Sequence, residues 1–204
     1  MEIQWFILAS YILGSFVIGG IPNGFLISKF LNKGELTSIG SGNIGATNIY
    51  RVLGWKWAIL VFVLDYLKGL LPLLFVKATL PEIGAYIMVS TLLGCIFSPF
   101  LKFKGGKGIA TGAGILSAYF PVEIITSLII ALLLIRFTKI VSLSTLGVSL
   151  SVIGYIFYQH ECIQTRLALI AMLLLIVFAH RSNIRRILQN KEKPIQRIPE
   201  ESEK

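Results

Sequence analysis

"WAILVFVLDYLKGLLPLLFV", residues 57 to 76, holds two charges, Asp65 and Lys68, among otherwise apolar side chains. A helix on a water-soluble domain needs a polar face, and this stretch has none. Its length matches the about 20 helical residues that cross a bilayer core of ~30 Å. Charge-free runs recur on both sides of it, at residues 3–28, 83–101, 108–122, 124–135, 140–159 and 167–179. The chain of 204 residues is 55% hydrophobic and 14% charged, with a mean hydropathy of +0.79. Those values exclude an ordinary soluble domain. An all-α integral membrane protein with seven transmembrane helices, some of them short, is therefore expected. Runs 108–122 and 124–135, divided by Pro121, form either two thin crossings or one re-entrant hairpin, so the count is seven or five. Either odd number leaves the two chain ends on opposite sides. Residues 1–188 form a single polytopic membrane domain and 189–204 a charged cytoplasmic tail.

Orientation follows from the basic residues, which favour cytoplasmic loops close to helix ends. With seven spans, one side collects Lys29, Lys33, Arg51, Lys56, Lys102, Lys104, Lys107, Arg136, Lys139, Arg181, Arg185, Arg186, Lys191, Lys193, Arg197 and Lys204. Only Lys68, inside a span, and Lys77 and Arg166, on the far side, lie elsewhere. The N-terminus is expected outside and the C-terminus in the cytoplasm. The first span is not a signal peptide, because Glu2 precedes it without a Lys or Arg. The net charge of +9 is spread over membrane loops with no soluble domain to present it, so no nucleic-acid partner is expected. Positive-inside topology and attraction to anionic headgroups account for most of it. Cys95 and Cys162 fall at opposite ends of the spans, so no disulfide is expected. No metal site and no cofactor are expected.

Working outward, the polar residues gather in the cytoplasmic loops. "GSGNIGATNIYRVLG", residues 40 to 54, combines glycines with Ser41, Asn43, Thr47, Asn48 and Arg51. Open backbone N–H groups, the positive end of a helix over 44–53 and the planar fork of Arg51 suit a phosphate. A capped glycine turn is the plainer alternative. "FKGGKGIATGAG", residues 103 to 114, again opens a helix, with Lys104 and Lys107 bracketing Gly105 and Gly106. Two ammonium groups and several N–H groups there predict a second anion site. The spacing departs from G-x-x-x-x-G-K-[ST], so nucleotide hydrolysis is not implied. In "HRSNIRRIL", residues 180 to 188, His180 and Asn183 share a helical face, and His180 alone among cytoplasmic residues titrates near neutral pH. Asp65 and Lys68, three apart inside a span, are expected to pair. That pair is purely structural, or holds a motif loop, or lends the Lys68 charge to a phosphate.

These three motifs, in this order on cytoplasmic ends, resemble those of the bacterial acyl-phosphate:glycerol-3-phosphate acyltransferases (PlsY type). The resemblance extends to "GGIPNGFLISK" and "LDYLKGLLP" and covers nearly the whole chain. It implies seven transmembrane helices, an outer N-terminus, and a multi-pass protein of the bacterial cell membrane with its site facing the cytoplasm. The implied reaction moves a fatty acyl group from acyl phosphate to the first hydroxyl of glycerol 3-phosphate, giving lysophosphatidic acid and phosphate. Membrane lipid supplies or receives the acyl chain. Carried over by motif position, Ser41, Arg51, Lys104, His180 and Asn183 are the catalytic residues. Asn43, Thr47, Asn48, Lys68, Gly105, Gly106, Lys107 and Thr111 bind substrate. The hydroxyl proton goes to His180 or to a phosphate oxygen of a substrate. Two positions depart from the family pattern: Cys95 stands where Gly-His is usual, and Ser182 where HREN is common. Acyltransferases that use thioester donors commonly carry His-x-x-x-x-Asp, which this chain cannot contain, because its one aspartate, Asp65, precedes both histidines. A carrier for a phosphorylated metabolite is the rival reading. It needs a path to both faces, whereas the polar residues here gather at one mouth.

Overall fold

The structure, a computed structural model, describes residues 2–32 and 40–196. Their regular elements are all helical: α1 Glu2–Gly20, α2 Asn23–Phe30, α3 Ala46–Leu53, α4 Trp55–Thr79, α5 Gly84–Ile96, α6 Ile109–Ser117, α7 Pro121–Thr138, α8 Val141–Gln159, α9 Ile163–Ala179 and α10 Arg181–Leu188. Short 3-10 turns at Pro81–Ile83 and Pro99–Leu101 flank α5. Of the basic residues assigned to the cytoplasmic side, Lys33, Arg197 and Lys204 lie outside the described residues.

Four helices are long and apolar enough to cross a membrane, and up to six if each of two bent pairs is one span. The pairs are α1 with α2, bent by 42°, and α9 with α10, bent by 58°. Pro22 stands at the first break, where it cannot donate to the preceding turn. The seventh expected span is α6, which at nine residues measures about 13 Å and falls short of a ~30 Å core. Pro121 does not break a hairpin in two. It is the first residue of α7, a position that suits its missing N–H. The helix then runs for 18 residues, carrying Glu123 in its first turn and Arg136 in its last. Counting only the charge-free run 124–135 understated it, because long charged side chains at helix ends reach back to the interface. On its own, α7 is thus long and apolar enough to cross a membrane.

The helix at the centre is α5: in its apolar window 56% of residues are buried, against 17% for α7. Leu73, Ile87, Leu92, Ile115, Leu169 and Met172 interlock α4, α5, α6 and α9. The crossing of α4 and α6 depends on small residues, since a Cβ on Gly69 would overlap the Thr111 carbonyl and one on Gly114 the Tyr66 carbonyl. Hydroxyls inside the bundle bond to carbonyls one turn back, as Thr91 does to Ile87 (2.7 Å) and Ser149 to Thr145 (2.7 Å). Others reach across to a neighbouring helix, as Ser90 does to the Ile12 carbonyl and Ser98 to that of Gly20 on α1. Outward-facing Phe75, Leu132, Leu174 and their neighbours are exposed, as lipid-facing side chains are. Both cysteines are free, Cys95 buried and Cys162 exposed.

Candidate active site

The ends of α2, α5, α7 and α9 and the starts of α4, α6 and α8 meet on one side of the bundle, together with α3 and α10. In the first loop, Gly40 and Gly42 take positive φ (67° and 69°) and turn the chain into α3. The Asn43 side-chain oxygen accepts from the Gly45 N–H (2.9 Å), and that of buried Asn48 from the Ser41 N–H (2.8 Å). Those two amide oxygens therefore build the loop and hold Ser41 beside α3. The N-cap of α3 is Gly45, with no side-chain cap; the Asn48 N–H bonds to the Gly45 carbonyl (2.9 Å), which leaves those of Ala46 and Thr47 without a partner among the described residues. Thr47 lies in that turn, half-buried, and Ser41 is exposed at the rim. Arg51, in the last turn of α3, donates through Nη2 to the carbonyls of Lys193 (3.2 Å) and Pro194 (3.4 Å). Burial, with the Arg186 charge, pulls its pKa below the ordinary arginine value against the opposing pull of Glu192.

The second loop differs from its sequence reading in one respect. The N–H groups of Gly105 and Gly106 do not point at a ligand: they donate to the carbonyls of Ile96 and Cys95, each at 2.9 Å. Helix ends leave carbonyls without partners, and the loop folds back to cap those of α5. Gly105 is required for that approach, because a Cβ there would overlap the Cys95 carbonyl. The Thr111 hydroxyl is likewise occupied, donating to Cys95 Sγ (3.2 Å). The N-terminal turn of α6, entered through Gly108 (φ 77°) without a side-chain cap, supplies open N–H groups instead. Half-buried Lys107 stands at that entrance. Burial, reinforced by Arg186 and Arg51, pushes its pKa down to about 8 against the pull of Glu192. Lys104 is exposed at the rim.

His180 caps the break between α9 and α10 and is 1% exposed. Its Nδ1 lies 2.9 Å from the Ile176 carbonyl. A carbonyl only accepts, so this contact places the proton on Nδ1 and leaves Nε2 with a lone pair. Burial pushes the imidazole pKa down to about 4, with the Lys107 charge adding to the effect. Asn183, also buried, donates to Glu192 Oε1 (2.6 Å), while its own oxygen has no partner among the described residues. Ser142 donates to the same Glu192 oxygen (2.6 Å) and Arg186 to the other (2.6 Å). Those bonds hold Glu192 below the ordinary glutamate pKa despite burial. Sequence reasoning left Glu192, Ser142 and Arg186 out of the site. A lone acid between Arg181, Arg185, Arg186, Lys191 and Lys193 was the available signal.

Lys68, read as a possible phosphate ligand, is buried below the mouth. Its ammonium bonds to Asp65 (2.7 Å) and to the Ile21 carbonyl (2.9 Å) and faces the Cys95 thiol. Asp65 also accepts from Asn23 (2.9 Å), so the network clamps the bend between α1 and α2 onto α4. Of the roles left open for the pair, these bonds describe a structural one, at the α1–α2 bend rather than at a motif loop.

Arg51, Lys107, His180 and Arg186 thus share one electrostatic neighbourhood around Glu192, flanked by two uncapped helix starts. No cluster that could hold a metal ion occurs among the described residues. Such an arrangement defines a class: an α-helical membrane protein with a cluster of basic side chains at one mouth of its bundle. A family model described as glycerol-3-phosphate acyltransferase matches residues 8–190. The chain belongs to the glycerol-3-phosphate acyltransferase family, of the PlsY type. A glycerol-3-phosphate acyltransferase of Thermoanaerobacter pseudethanolicus is 38% identical over 175 residues, covering 83% of this chain and 86% of that protein. One of Bacillus subtilis is 37% identical over 194 residues, covering 92% and 97%. The crystal structure of PlsY, an integral membrane glycerol 3-phosphate acyltransferase, in its glycerol 3-phosphate form superimposes with a TM-score of 0.86 at 31% identity. It covers 93% of this chain and 96% of that one. The lysophosphatidic acid form gives 0.83.

Proposed function

We propose that this protein transfers a fatty acyl group from acyl phosphate to the sn-1 hydroxyl of glycerol 3-phosphate, giving lysophosphatidic acid and phosphate, the first acylation of phospholipid synthesis. The observation that carries this reading is the pairing of Arg51 and Lys107, both partly buried, with two uncapped helix starts beside a neutral His180. Both substrates bear phosphate, and the mouth supplies cations and N–H groups for it. Ser41, Thr47 and Lys104 on the rim complete the contacts. Asn43, Asn48, Gly105, Gly106 and Thr111 shape the two loops that make them, and Lys68 clamps the bend between α1 and α2 below the mouth.

The glycerol hydroxyl attacks the acyl carbonyl directly. Its oxygen–carbon bond forms while the bond to the phosphate oxygen breaks, and phosphate leaves with that electron pair. Stabilising the carbonyl oxyanion and the leaving group is most of the catalysis. An imidazole held near 4 is a weak base. A phosphate oxygen, with a second pKa of about 6, accepts the hydroxyl proton more readily. His180 then orients a substrate through Nε2, and Asn183 through its unpartnered oxygen. The mouth faces the cytoplasm of a bacterial cell membrane, with the N-terminus outside, because the basic residues gather on that side.

Purified protein supplied with glycerol 3-phosphate is expected to form lysophosphatidic acid from palmitoyl phosphate, and none measurable from palmitoyl-CoA or acyl carrier protein. Comparable initial rates with a thioester would overturn the donor assignment.

A further inference from the structure

The chain beyond α10 is folded back onto the mouth. Asn190 takes left-handed backbone (φ 53°), and the N–H groups of Asn190 and Lys191 donate to the Ile187 (3.0 Å) and Arg186 (2.8 Å) carbonyls. Asparagine tolerates that conformation, and such a turn reverses the chain at a helix end. Glu192 then anchors the strap through Ser142 of α8 and through Asn183 and Arg186 of α10. A second anchor follows at Ile195, whose N–H donates to the Lys139 carbonyl (2.8 Å). Between the two anchors, Pro194 fixes its own φ and restricts Lys193 before it, so the bridge is stiff. The carbonyls of this bridge, and no side chain of it, are what Arg51 Nη2 meets. The other guanidinium nitrogens, Nε and Nη1, have no partner among the described residues.

We infer that the strap from Glu192 to Ile195 is a positioning element: through the carbonyls of Lys193 and Pro194 it pre-orders the Arg51 guanidinium for the phosphate of a substrate. The inference rests on Arg51 being a phosphate ligand, as proposed above. An arginine on the rim of a membrane mouth would otherwise sample many rotamers, and ordering it in advance removes that loss from the binding step. Neutral carbonyls suit the task better than a carboxylate, which would neutralise the charge meant for the substrate. Glu192 lies near enough for its charge to be felt at Arg51, yet its bonds go to Ser142, Asn183 and Arg186.

The test uses full-length protein in detergent, with glycerol 3-phosphate binding by calorimetry, steady-state kinetics and thermal unfolding. Ile195→Pro removes the donor to Lys139 and leaves Glu192 in place. It is expected to weaken binding and raise KM about tenfold, with kcat changed less and the unfolding temperature kept. Ile195→Ala keeps the N–H and is expected to weaken binding less than Ile195→Pro does. Pro194→Gly, which loosens the bridge while keeping both anchors, is expected to act in the same direction and serves if Ile195→Pro fails to fold. In an Arg51→Lys background neither strap variant should weaken binding further, since the effect passes through Arg51. Native affinity in the strap variants, or a loss that persists in full with Arg51→Lys, would overturn the inference. Failure of the native protein itself to bind glycerol 3-phosphate would instead overturn the proposed function.

Discussion

The two glycine-rich loops at the mouth are made by opposite means. The first is folded by side chains: Asn43 and Asn48 turn their oxygens inward to Gly45 and Ser41. The second is folded by backbone: Gly105 and Gly106 dock on the carbonyls of Ile96 and Cys95 at the end of α5. In the first loop asparagine is the scaffold. In the second glycine is, because its backbone must lie against another backbone. A motif rich in glycine and polar residues therefore does not say which residue type holds it and which meets the ligand.

The sharpest way to break this comparison is within the second loop. A Cβ on Gly105 would overlap the Cys95 carbonyl, whereas one on Gly106 would meet Cys95 Sγ at 3.8 Å, an ordinary contact. Gly105→Ala is expected to destabilise the protein by about 3 kcal/mol and abolish activity, as backbone overpacking does. Gly106→Ala is expected to keep its unfolding temperature. Thermal unfolding of the two variants in one detergent decides; equal losses would mean that the docking on α5 is not what the glycines serve.

Next in size is the charge carried by the first loop. Arg51→Lys is expected to lower kcat/KM by about 100-fold, because a point charge replaces a planar fork. Unfolding temperature should stay native, and full activity at low and high substrate would remove Arg51 from the site. Asn48→Ala should cost about 1–2 kcal/mol of stability, by leaving the Ser41 N–H without its partner. It should also lower activity through Ser41, which an unchanged rate would contradict.

The smallest effects are in pH. Lys107, near 8 in the folded protein, loses its charge as pH rises through that value. The substrate phosphate, with a pKa of about 6, is already fully ionised there. We expect kcat/KM to fall above about pH 8, and Lys107→Arg to extend the plateau to higher pH. The stability contribution has the opposite sign. Between about 8 and 10.5 the unfolded chain keeps a proton that folded Lys107 has released, so this residue favours the native state more as pH rises. For His180 the window runs from 6.5 down to about 4, where the unfolded chain binds a proton and the buried imidazole does not. Stability should therefore decline with acid across that window, and less so in His180→Gln. Unfolding temperatures measured from pH 4 to 10 on the three proteins test both signs.

The sequence by itself determined the solvent and the architecture. Apolar runs of bilayer length, basic residues gathered mostly in one set of loops, and three polar motifs in those loops are properties of composition and spacing, readable along one dimension. Residues 57–76 became the middle of α4 without any tertiary information. Only the tertiary structure decided which polar atoms are free. Gly106 reaches Cys95, Lys68 reaches Ile21, and Ser142 bonds Glu192 across 50 residues of chain. Hydrogen bonds saturate, so a donor that looks open in a motif closes once folding brings it an acceptor from elsewhere. By the same rule, a segment that reads as a charged tail packs onto the mouth when its Glu192 finds three donors waiting on α8 and α10.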